Sequence, residues 1–162
     1  MKATILNIIK YILDKYPHKS DLSASRLTKM LYLIDWKYSI DNGEQLTDAS
    51  WHFNHYGPYV DDFVKMARED ESISVKKTQT MFGGKKTLFS LTQKYSPTTE
   101  LDPQHKITID FVIEATKSKN YEDFIHLVYS TYPVISNDRY SNLNLSKLAS
   151  EYKAIVEKPP TS

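Results

Sequence analysis

Near the start of the chain Ile5, Ile8, Ile9, Ile12, Leu13 and Tyr16 fall three and four positions apart, with lysines and aspartates opposite them. That spacing predicts an amphipathic helix ending before Pro17. The polar PHKSD stretch is a connector. A second helix follows over residues 24–42. Leu22 and Ser23 supply its staple and N-cap, and Gly43 stands at its C-terminal end. Its apolar residues, Leu27, Met30, Leu31, Leu33, Ile34, Trp36, Tyr38 and Ile40, spread wider than one stripe. They predict a central helix covered on more than one side.

After the turn-like GEQLTDA, residues Trp51 to Tyr56 suit a short strand or extended segment. Gly57-Pro58 then predicts a strand-to-helix corner, because proline is favoured in the first turn of a helix, where its missing N–H costs nothing. Asp61 and Asp62 fall in that turn, where the helix dipole favours negative charge, and Val60, Phe63, Val64 and Ala67 follow at helical spacing. Two β-rich runs flank Gly83-Gly84 in ISVKKTQTMFGGKKTLFSLT and predict a hairpin with a tight turn, decorated by Lys76, Lys77, Lys85 and Lys86. Asp102-Pro103 starts a helix through about Lys117, and Asn120 caps another that ends before Pro133. VISNDRYSN is a loop, and Asn144 caps a last helix that turns Leu145, Leu148, Tyr152 and Ile155 inward. The prediction is an α+β, mainly α-helical fold of about six helices with a small antiparallel sheet, one domain over residues 1–156 and a flexible tail at 157–162.

Composition narrows the classes. A chain of 162 residues with 40% hydrophobic and 25% charged residues is sized and balanced for one globular domain. The net charge of +1 gives no global pull toward nucleic acid or anionic membrane. With no cysteine, disulfides, thiolate metal sites and a cysteine nucleophile are all removed. The opening segment is broken by Asn7, Lys10, Asp14 and Lys15, unlike a signal peptide, and no stretch approaches the ~20 apolar residues of a membrane span. The expectation is a soluble cytoplasmic protein.

Candidate chemistry is sparse. Lys85 lacks the glycine spacing of a phosphate-binding loop, and no nucleophile elbow or dinucleotide fingerprint occurs. His52 and His55 form H-x-x-H, but on an extended segment two positions three apart point to opposite faces. A metal site there, the basis of a small metal-dependent hydrolase, needs a distant third ligand such as Asp48 or His126. Asp61-Asp62 and the carboxylates of the run from Arg68 to Glu71 could pair for acid–base work, yet a dipole-complementing first turn and a solvated helix end are the preferred reading of them. His126, on an otherwise apolar helix, reads as a hydrogen-bonded helix residue. Two helices, a strand, a helix and a lysine-bearing hairpin is also the element order of a winged helix, a DNA-binding regulator touching phosphates through the hairpin. Against it, acids at the start of the third helix would repel phosphate, and charged hairpin edges are an ordinary defence against edge pairing.

The stretch LTKMLYLIDWKYSIDNGEQLTDASWHFNHYGPYVDDF resembles the signature of the Panacea domain, the SocA-like antitoxin family. Lys29, Met30, Leu31, Tyr32, Trp36, Gly43, Leu46, Thr47, Trp51, Tyr56, Gly57, Pro58, Tyr59 and Val60 hold the signature positions, with Met30 where leucine is usual and Tyr59 where valine is usual. The resemblance implies a non-enzymatic antitoxin without a cofactor, encoded by bacteria or phage beside a cognate toxin. It would neutralise that toxin by direct protein–protein binding, or as an adaptor handing it to a cytosolic protease.

Twelve tyrosines and two tryptophans suit protein recognition, since aromatics give large rigid contact area. Leu31, Tyr32, Trp36, Gly43, Trp51, Gly57 and Pro58 are assigned to architecture. His52, His55, Tyr56 and Tyr59 form one candidate partner face. Tyr129, Tyr132 and Tyr140 form a second, equal candidate.

Overall fold

The helix α2, Ala24–Asn42, is the axis on which the rest is assembled. Ser23 Oγ caps it by accepting from the Arg26 N–H, and Gly43, at φ 77°, ends it in the left-handed conformation that glycine adopts without strain. Its neighbours include α1 (Ile5–Lys15), α4 (Pro103–Thr116), α7 (Leu145–Val156) and strands from both sheets, so residues all round it are buried. The computed structural model describes residues 2–60, 63–79, 83–97 and 101–157. Within them the order is α1, a 3₁₀ turn at Lys19–Asp21, α2, β1 (Trp51–Asn54), β2 (Gly57–Tyr59), α3 (Val64–Arg68), β3 (Ile73–Gln79), β4 (Lys85–Leu91), α4, α5 (Tyr121–Tyr129), α6 (Tyr132–Ile135), β5 (Asn142–Leu143) and α7. The fold is α+β and mainly helical, with seven α-helices among the described residues.

Thr4, Asp102, Asn120 and Asn144 cap α1, α4, α5 and α7 through their side chains. Ile8, Ile9, Ile12 and Leu13 of α1 are buried against the core, each stabilising by about 1.5–3 kcal/mol relative to exposure. The β3–β4 hairpin hangs from the start of α2: Phe89 N–H donates to the Leu22 carbonyl at 3.1 Å, beside a Ser23–Leu88 bridge. Its last pair among the described residues is Gln79–Lys85, a register centred on residue 82 rather than between Gly83 and Gly84 as expected, and residues 80–82 lie outside the described residues. The second sheet is antiparallel in the order β2-β1-β5, pairing His52 with Tyr59 on one side and with Asn142 on the other.

The Gly57-Pro58 step is not a helix start. The chain reverses at His55-Tyr56, where Asn54 Oδ1 accepts from the Tyr56 N–H, and Gly57 at φ 104° turns it back as β2. Pro58 sits opposite Phe53 on the edge strand, where a missing N–H breaks no ladder. The third helix begins only at Val64 and spans five residues. Asp61 and Asp62 lie outside the described residues, as do residues 158–162 of the expected tail. The loop expected at VISNDRYSN is shorter than it looked: Val134 and Ile135 belong to α6, with Pro133 in its first turn, and Asn142 opens β5. Ile155, expected inward, is 59% exposed, whereas Leu145 and Leu148 of the same helix are buried.

Candidate functional site

The three-stranded sheet owes its position to Asp35 on α2. This carboxylate is fully buried, yet four donors reach it. Thr47 N–H donates to Oδ1 at 2.9 Å, while Thr47 Oγ1 at 2.5 Å, Trp51 Nε1 at 2.9 Å and Gln45 Nε2 at 3.4 Å donate to Oδ2. Burial pushes its pKa up, and the Thr47 and Trp51 hydrogen bonds oppose that rise. The bonds lock the loop before β1, and Trp51 itself, onto α2. Tyr32 adds an edge-to-face contact to Trp51 at 5.7 Å and a 2.7 Å hydrogen bond to Thr131 Oγ1. No local pattern in the sequence marks Asp35, because its partners lie ten to sixteen residues away.

Trp51, Phe53, Pro58 and Leu143 are buried on the inner side of this sheet. Its outer side and tip carry other residues. His52 faces Tyr59 across one pair and meets Asn142 Oδ1 across the other, 2.5 Å from its Nδ1, so with the amide oxygen accepting, Nδ1 carries the proton. His55 is exposed in the turn with its ring edge-to-face on Tyr56 at 4.8 Å. Tyr56 is 75% exposed and Tyr59 39%. Tyr140 joins them from the far end of the chain: its N–H donates to the Phe53 carbonyl, and it is 76% exposed. It is also the one non-glycine residue with positive φ among those described, at 70°. Arg139 lies over the Phe53 ring at 5.5 Å.

The two aromatic clusters of the sequence are therefore divided differently in space. Tyr140 belongs with His52, His55, Tyr56 and Tyr59. Tyr129 lies half-buried beneath the hairpin, edge-to-face on Phe53, and a Cβ at Gly57 would come within 3.1 Å of its hydroxyl. Tyr132 is elsewhere, packed on Tyr152 at 5.8 Å and donating to Glu151 at 3.2 Å. Burial and Glu151 push its pKa up. Tyr152 in turn packs on Trp36, and Leu31 and Tyr32 are buried in the core.

Two recesses flank the N-terminal end of α2. One, of about 790 Å³, is lined by Arg26, Lys85, Lys86, Lys119 and Tyr121 with Asp21 at its edge. Arg26 is 2% exposed; its guanidinium stacks over Phe124 at 4.4 Å and donates to the Tyr16 hydroxyl at 2.7 Å and to the Thr116 and Lys119 carbonyls. Its Nε has no partner among the described residues. The other recess, of about 270 Å³, lies between α2 and the β1–β2 hairpin and exposes Lys29 to Tyr56 and Tyr59.

The remaining candidate chemistry is dispersed. Among the described residues no group of three or more histidines, cysteines or acids could hold a metal ion. Asp48 is exposed in the connection before β1 and His126 is exposed on α5. Asp70 binds Lys10 at 2.7 Å and Glu71 lies near Lys94, so these carboxylates serve different partners. The five-residue α3 is only ~7.5 Å long, too short to lie along a major groove as a recognition helix. No helix among those described is long and apolar enough to cross a membrane.

A family model described as antitoxin SocA-like, Panacea domain, matches residues 27–133, well over half of the chain. No curated protein and no solved structure matches it. The matched span holds α2 from Leu27 onward, its Asp35 lock and the β1–β2 hairpin, while Tyr140 and β5 lie beyond it. On that match the chain belongs to the SocA-like antitoxin family, built on the Panacea domain.

Proposed function

We propose that this chain neutralises a cognate toxin in the cytoplasm by direct binding, without catalysis, and that the outer tip of the β2-β1-β5 sheet covers the toxin. Tyr140 carries the reading. A bulky aromatic held at positive φ, three-quarters exposed, costs backbone strain and hydrates a large apolar ring, with no folding gain visible from its side chain. Tyr56, at the hairpin turn, makes the same outward display on a rigid two-residue reversal. Such anchors on an ordered scaffold are what protein recognition uses, because little entropy is lost on binding. Family membership supplies the class of partner.

Co-expression with the product of the adjacent gene tests it, scored by growth and by co-purification. The expected result is rescue of a toxic neighbour with a stable complex, weakened roughly fivefold to a hundredfold by Tyr56→Ala or Tyr140→Ala. Rescue that instead depends on a cytosolic protease, with loss of the toxin rather than its capture, would replace occlusion by delivery. A toxic neighbour neither rescued nor bound contradicts the proposal.

A further inference from the structure

Lys29 is an expensive residue for the fold. It is 5% exposed, and among the described residues its Nζ has one partner, Ser25 Oγ at 3.1 Å. An ammonium taken out of water without a counter-ion is costly, and burial accordingly lowers its pKa. It sits in the second turn of a 19-residue helix with no acid in its first turn to offset its charge. Beside it is empty space, the recess of about 270 Å³ walled by Thr28, Asn54, Pro58, Tyr56 and Tyr59, with no carboxylate among the described residues that line it.

We propose that this recess receives one carboxylate side chain from an acidic segment of the protein partner, with Lys29 as its counter-ion and Ser25 as a second donor. The word partner rests on the reading above. The carboxylate would complete a charge pair that no described residue supplies, and the rings of Tyr56 and Tyr59 with Pro58 would flank the methylenes that carry it. A nucleic-acid backbone would need a row of cations along its phosphates, and the Lys29 recess offers one.

The test is a side-chain NMR titration of the intact chain, following Lys29 Nζ and the Tyr59 ring. The probes are a short glutamate peptide, its glutamine counterpart and a short DNA duplex. Wild type is expected to bind the glutamate peptide and not the glutamine one. Lys29→Met is expected to lower that affinity at least about tenfold while melting no lower than wild type, because it removes a buried unpaired charge. Equal response to both peptides, a Lys29 response to DNA alone, or unchanged peptide binding in K29M overturns the proposal. So does a K29M chain that melts well below wild type, which would make the lysine structural. The peptide arm needs no toxin. A chain that binds the peptide but rescues no neighbour keeps the recess and loses the antitoxin reading; K29M rescuing like wild type does the reverse.

Discussion

Replacing Asp35 by asparagine keeps the shape of the side chain and changes only what it can accept. The carboxylate receives Thr47 N–H on one oxygen, and Thr47 Oγ1, Trp51 Nε1 and Gln45 Nε2 on the other. Whichever way the amide turns, its NH₂ confronts donors. The cheaper placement puts it at Oδ1 and orphans the buried Thr47 N–H, which costs about 1–3 kcal/mol, and the amide's own protons add a similar amount. The expected loss is about 2–5 kcal/mol, a large share of the ~5–15 kcal/mol that stabilises a domain. Urea unfolding followed by tryptophan fluorescence measures it, and Trp51 reports on the site itself. The pH dependence gives a second reading. Burial holds the folded carboxyl above its ordinary 3.8. The titration of Asp35 therefore stabilises wild type fully below that value and progressively less as pH rises through the folded pKa. The gap between wild type and D35N should narrow over that window, since asparagine does not titrate. A loss below about 1 kcal/mol at every pH would refute the lock on which the placement of the sheet rests.

Three further outcomes are expected. Gly57→Ala should destabilise by roughly 2 kcal/mol or more in thermal unfolding, because the left-handed φ of 104° and the Tyr129 hydroxyl 3.1 Å from the new Cβ both oppose it; adding Tyr129→Phe should recover only part. Arg26→Met should cost about 3 kcal/mol in urea, through lost bonds to Tyr16, Thr116 and Lys119, despite removing the orphaned Nε. Tyr56→Ala and Tyr140→Ala should shift stability by no more than about 0.5 kcal/mol, because both rings are largely exposed, while lowering affinity for the partner.

Local signals account for what the sequence discloses. Ser23, Asn120, Asn144 and Gly43 mark helix ends through bonds to residues a few positions away, so α2 is legible to the residue. Gly57-Pro58 misleads because the same dipeptide suits a helix start and an edge strand, and a three-residue β2 has no periodicity to separate them. The β5 strand has two residues and exists only because β1 lies beside it, about ninety positions earlier in the chain. That pairing is what carries Tyr140 to the hairpin, so its separation from Tyr129 and Tyr132 could not be seen locally. Lys29 lies within the matched family span, but that no acid among the described residues pairs with it is a property of the packed chain.

The most direct test of the partner face is hydrogen–deuterium exchange on the complex with the neighbouring gene product. Protection is expected to concentrate in residues 52–59 and 139–142, on the sheet tip. Other exposed apolar residues offer a clear contrast, Ile107 and Phe111 on α4 at 69% and 54% exposure. Protection confined to α4, with the sheet tip exchanging as in the free protein, would contradict the account.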